Sequence, residues 1–168
     1  MKRSMIGLSL LLSNTALGVA TPIKSLITGS GGQMTVSADT FVVSKRTTAG
    51  TYLLLGIGQA TSYNGRINGL SVLALHEYLT PPERDLFAKN VVRVALTCFN
   101  LLPARQNAIT AWLNVQSKST SRVASSDFGP MTLTFSRALT DSGQFYTAAF
   151  MTRTGQPGVV PWGNYCVQ

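Results

Sequence analysis

The chain has one histidine, and it stands beside an acid in His76-Glu77. An imidazole next to a carboxylate is a pairing that general acid–base catalysis uses. Here both fall in a segment that reads as a strand, residues 69–78, and adjacent strand residues point to opposite faces. A same-face dyad is therefore not expected. A triad assembled from distant residues would need a nucleophile, and no Gly-x-Ser-x-Gly elbow marks one. The six acids are Asp39, Glu77, Glu83, Asp85, Asp127 and Asp141. Glycoside hydrolysis needs two of them across one bond. Glu83 and Asp85 instead sit where a helix starts and favour its dipole. Asp127 and Asp141 lie in Ser- and Gly-rich stretches, where Asp stabilises turns. The run TGSGG at residues 28–32 lacks the Gly-Lys-Ser/Thr ending and following helix of a phosphate loop. The composition therefore points away from an enzyme, and no cofactor is implied.

Cys98 and Cys166 are the only cysteines. Two cysteines and one histidine are a poor set for structural zinc. Their pairing depends on the compartment, and the N-terminus speaks to that. Lys2 and Arg3 precede an apolar stretch at residues 5–12 (MIGLSLLL), followed by small and polar residues to Ala20. Those are the three parts of a secretory signal. Cleavage is expected before Thr21, with a second small-residue site ending at Gly18. The apolar core is too short to span about 30 Å of hydrocarbon, and no later stretch does so as a helix. In an oxidising compartment a Cys98–Cys166 disulfide is the simplest outcome, two buried thiols the alternative.

Removing residues 1–20 leaves residues 21–168 as one domain. It also takes away Lys2 and Arg3, so the formal charge falls from +8 to +6. Lys45-Arg46 is the one adjacent basic pair beyond the signal. No basic stripe with interleaved aromatics is present, so nucleic acid is not an expected partner. Attraction to anionic cell surfaces is compatible with the charge.

The elements that would position these residues read as short strands at 34–44, 51–59, 69–78, 91–99, 108–116, 131–139, 144–153 and 164–168. In the fifth, Ile109, Ala111, Leu113 and Val115 alternate with Thr110, Asn114 and Gln116, with Trp112 the exception on that second face. In the sixth, Met131, Leu133 and Phe135 alternate with Thr132, Thr134 and Ser136. Period two suits strands with one face on a core. Asn64-Gly65 suits the tip of a type I′ hairpin and would place Arg66 at an exposed turn. Thr80-Pro81-Pro82-Glu83 is a capping box with proline in the first turn, opening a short helix to about residue 89. The fold expected is all-β, an Ig-like sandwich of about seven or eight strands with one short helical connection. Trp112, Tyr146, Trp162 and Tyr165 are the aromatics best suited to a contact surface, with Trp112 the most core-like.

The signal, the strand-rich body and the tail PWGNYCV at residues 161–167 together resemble subunits of chaperone–usher fimbriae, the exported Ig-like pilins. Such subunits lack one strand and leave an apolar groove. The resemblance implies that a periplasmic chaperone fills it first, then the N-terminal segment of a neighbouring subunit, by strand addition. Residues 21–33 would be the donor here, through Ile23, Leu26 and Ile27. The resemblance also implies an adhesive role toward a host-surface glycan or protein; the exposed turn and the aromatics themselves offer Arg66, Trp162 and Tyr165 as contact residues. Two other readings stand beside it: a secreted carbohydrate- or receptor-binding β-sandwich, and a jelly-roll viral coat protein.

Overall fold

The structure is a computed structural model that describes residues 18–27, 33–37, 40–46, 52–155 and 163–167. It is β-rich. Nine strands belong to one hydrogen-bonded sheet: β1 (Ala20–Pro22), β2 (Gln33–Ser37), β3 (Thr40–Arg46), β4 (Tyr52–Tyr63), β5 (Arg66–Ala74), β6 (Val123–Phe128), β7 (Met131–Leu139), β8 (Phe145–Arg153) and β9 (Tyr165–Val167). The main path runs β2-β3-β4-β5-β8-β7-β6, and β9 pairs with both β1 and β5. Two meanders, β2–β5 and β6–β8, thus meet at β5 and β8, whose register sets Leu70 opposite Met151 and Val72 opposite Ala149. The β4–β5 hairpin turns at Asn64 and Gly65, with φ of 49° and 73°. Those angles are the positive ones that Asn-Gly accepts.

The described residues also form three α-helices: α1 (Ile23–Ile27), α2 (Pro81–Cys98) and α3 (Gln106–Lys118). The last two form the connection between the meanders, with a 3-10 turn, Pro103–Arg105, before α3. They lie where strands were expected at 91–99 and 108–116, so those two strands and the one short helical connection are corrected; the β-rich character holds, and an Ig-like sandwich is not shown. The described strands make a single sheet, with the helices packed on it. The start of α2 agrees with the sequence reading, since Thr80 is the N-cap and the two prolines open the first turn. Its end does not, because the helix continues through the Val-rich stretch. No breaker interrupts residues 83–98, and Leu86, Phe87, Val91, Val94, Ala95 and Cys98 are all buried on one helical face. Burial of such a face overrides the strand preference of valine. In α3 the helix buries Ile109, Leu113 and Ser117, every fourth residue. Val115, which period two placed beside them, is 62% exposed. The expected strand at 34–44 is also two strands, β2 and β3, and β6 carried no expectation.

The core lies between the helices and one sheet face. Leu70 and Val72 of β5, Met131, Leu133 and Phe135 of β7, and Ala149 and Met151 of β8 meet Phe87, Val91 and Ala95 of α2 and Ile109 and Leu113 of α3 in one buried cluster. Each large side chain so buried contributes about 1.5–3 kcal/mol. Ile23 and Leu26 of α1 join it, at 2% and 4% exposure. Cys98 and Cys166 are disulfide-bonded with Cα atoms 4.9 Å apart, which ties the end of α2 to β9. No helix among the described residues is long and apolar enough to cross a membrane.

Candidate functional site

Two helices laid side by side leave a cleft, and here it measures about 490 Å³. One wall is Asp85, Lys89 and Arg93 of α2; the other is Gln106, Thr110 and Asn114 of α3. Both rows step by four residues, so each keeps to one helical face at intervals of about 6 Å. Ala88, Val92 and Leu96 form the floor between them. Ala88 and Val92 are themselves buried against the core. The rows therefore follow from the same helical period that buries the core side of α2 and α3. A strand at 91–99 would have turned Arg93 and Val92 to opposite faces and destroyed the arrangement.

The walls are chemically unequal. Lys89 and Arg93 form no ion pair among the described residues, where the pairs are His76–Glu83 and Arg122–Glu77. Arg84, one turn before Ala88, differs, because its Nη1 donates to the Leu79 carbonyl at 2.8 Å. The α3 wall is neutral, and each of its side chains supplies both a donor and an acceptor. The cleft combines two free cations, one carboxylate, three neutral hydrogen-bonding groups and an apolar floor, a makeup suited to binding. No group of three or more His, Cys, Asp or Glu side chains among the described residues is placed to hold a metal.

His76 and Glu77 lie in the loop after β5 rather than within a strand. His76 Nδ1 is 2.6 Å from Glu83 Oε1. Glu83 Oε2 accepts from the Thr80 backbone N–H and hydroxyl, both at 2.7 Å. Burial alone would raise the Glu83 carboxyl. The hydrogen bonds from Thr80 and His76 outweigh it and hold the group below its ordinary value. Glu83 is thereby committed to the start of α2. Glu77 pairs with Arg122 at 3.2 Å. Neither acid faces the imidazole as a free catalytic partner.

No known protein family, curated protein or solved structure matches this chain.

The other residues singled out by sequence are dispersed. Arg66 begins β5, half-buried, with its guanidinium carbon 4.6 Å from the Tyr165 ring centre. It opens a strand against β9 rather than projecting from the hairpin tip. Tyr165 is half-buried in β9, so these two residues do come together. Trp162 lies outside the described residues, as do the side chain of Ile27 and the Gly-rich run 28–32. Trp112 of α3 packs edge-on against Phe128, with ring centres 6.0 Å apart. Tyr146 and Phe150 lie on the sheet face opposite the helices, Phe150 at 37% exposure. That face is rich in hydroxyls, but they bond to one another: Ser125 to Thr134 at 2.9 Å, and Thr132 to Asp127 at 2.7 Å. Four of its polar side chains are thus engaged with one another. Sequence reasoning placed Asp85 and Lys89 on a helix but missed the cleft, because it read 91–99 and 108–116 as strands. The signal that marks them is the charged triplet Asp85, Lys89 and Arg93 at four-residue spacing.

Proposed function

We propose that this chain is an exported, non-enzymatic binding domain of the cell surface or surroundings, and that its ligand site is the cleft between α2 and α3. The observation that carries the reading is the pair of facing rows, with Lys89 and Arg93 free of ion pairs among the described residues. Side chains of this kind, held on rigid helices above an apolar floor, are pre-organised for recognition. The disulfide fits an oxidising destination.

An adhesive role remains within this reading; assembly by strand complementation draws less support. A fimbrial-type subunit would offer Ile23 and Leu26 to a neighbour or a chaperone. Here both are packed in the chain's own core, and β1 pairs in parallel with β9 of the same chain. The edge strand β6 carries Ser125, Ser126 and Asp127, a polar edge rather than an apolar groove.

The test is a fragment screen by amide chemical shifts on the oxidised protein. Shifts clustered at Lys89, Arg93, Thr110 and Asn114, and abolished by Thr110→Trp, would support the cleft. Shifts centred on Tyr146 and Phe150 would move the site to the opposite sheet face and overturn the proposal.

A further inference from the structure

The dimensions of the cleft select among ligands. We infer that it takes an extended acidic peptide segment, with carboxylates on alternate residues; this rests on the cleft being the binding site.

From Asp85 to Arg93 the α2 wall rises about 12 Å, the length of about four residues of extended chain. Side chains of such a segment alternate between two faces, so one set enters the cleft and the other points outward. The inward set meets Ala88, Val92 and Leu96 and is therefore apolar. The outward set recurs every two residues, at about 6.5–7 Å. Lys89 and Arg93 are spaced at about 6 Å, within reach for two long, flexible cations. Acidic residues at alternate outward positions thus each meet one cation. Asp85, the next step along the same row, places a cationic group at one end and sets the direction.

The second wall supplies the reason for a peptide. Along one edge of an extended chain, every second residue presents an N–H and a C=O together. Gln106, Thr110 and Asn114 recur at nearly the same interval, and each offers one donor and one acceptor in return. A docked segment would satisfy its backbone there without a sheet edge. An acidic oligosaccharide shares the charge but has no such paired N–H and C=O groups.

The experiment is fluorescence anisotropy on the full oxidised chain with labelled peptides. The probes are Lys-Val-Glu-Val-Glu-Val and its charge-reversed counterpart Glu-Val-Lys-Val-Lys-Val. The first is expected to bind about tenfold more tightly, the size expected for three exposed charge pairs turned from attractive to repulsive. The double variant Lys89→Glu/Arg93→Glu should invert the preference, and circular dichroism melts report whether it folds as the parent does. Inversion of preference also requires a folded protein. Equal binding of the two peptides, or a preference unchanged in the double variant, would overturn the inference. So would binding of an acidic oligogalacturonide in the cleft with no binding of either peptide; the cleft would then stand with another ligand. If neither ligand class shifts the amides of Thr110 and Asn114, the binding-site reading fails as well.

Discussion

Arg137 of β7 and Arg153 of β8 project from the same face of adjacent strands toward opposite ends of the helical layer. Both are buried, at 2% and 6% exposure. Each meets the C-terminal end of a helix, where carbonyls lack intrahelical partners and the dipole favours a cation. Their satisfaction differs. The guanidinium of Arg137 donates to five carbonyls: Nε to Glu77 at 2.7 Å, Nη1 to Ser119 and Ser121 at 2.7 and 3.1 Å, and Nη2 to Gln116 and Ser117 at 3.2 and 2.7 Å. It also lies over the rings of Tyr78 and Phe135. A guanidinium has five N–H donors, and all are used. Arg153 donates from Nη2 to the carbonyls of Cys98 and Asn164. Its Nε and Nη1 have no partner among the described residues. Burial pulls its pKa down to about 10.

The contrast shows two ways of closing the same joint. The end of α3 is held to the sheet by a saturated cation. The end of α2 is held by the disulfide, with an under-satisfied cation beside it. A buried charge strengthens a structure only when its donors are met.

The largest effect is expected at the covalent joint. Cys98 and Cys166 are separated by 68 residues, and closing a loop of that length stabilises by about 4 kcal/mol on the chain-entropy account. Cys98→Ala/Cys166→Ala should lose about that much in urea unfolding. A loss below about 1 kcal/mol would mean that packing around Phe99 and Ile67, not the bond, holds β9.

Arg137→Met should follow, at about 3 kcal/mol, because it leaves buried carbonyls unpaired at the end of α3. Hydrogen exchange should localise the opening to the amides of residues 113–121. Uniform loosening of both helices would erase the distinction between the two joints.

Glu83 sharpens the comparison from the other end of α2. Glu83→Gln should cost about 1 kcal/mol at neutral pH, the usual worth of a helix-start contact. A carboxyl held below its ordinary value stabilises fully above that value and loses the contribution as pH falls through the lower, folded-state pKa. The variant should therefore match the parent in strong acid, as thermal melts across pH 2–7 would show.

Arg153→Met is expected to change stability least, by under about 1 kcal/mol, since loss of two hydrogen bonds is offset by removal of a desolvated cation. The pH dependence carries the sign. With a folded-state pKa near 10, below the ordinary guanidinium value of the unfolded chain, the penalty is fully present below pH 10 and relieved as pH rises above it. The parent should thus gain on the variant over that range. A loss as large as that of Arg137→Met would show that the two cations are equivalent.

The sequence by itself determined the local features whose causes lie within a few residues. Asn64-Gly65 makes the turn because those two types accept positive φ. Thr80 and Glu83 start α2 because the Glu83 carboxylate accepts from the Thr80 N–H, and the prolines because they lack an N–H that a first turn would leave unmet. The alternation from Met131 to Phe135 sets β7 and its buried face. Cysteine arithmetic paired Cys98 with Cys166. Tertiary structure decided the remainder. Residues 91–98 and 108–116 satisfy strand and helix patterns alike, since Ile109 and Leu113 lie on one face at period two and also at a spacing of four. Only the sheet face that α2 and α3 cover chooses between them, and that face is built from β5, β7 and β8, outside either helix's own sequence. The same choice creates the cleft and turns Arg137 and Arg153 into buried donors for helix ends. No local pattern around either arginine encodes a carbonyl that arrives from another element.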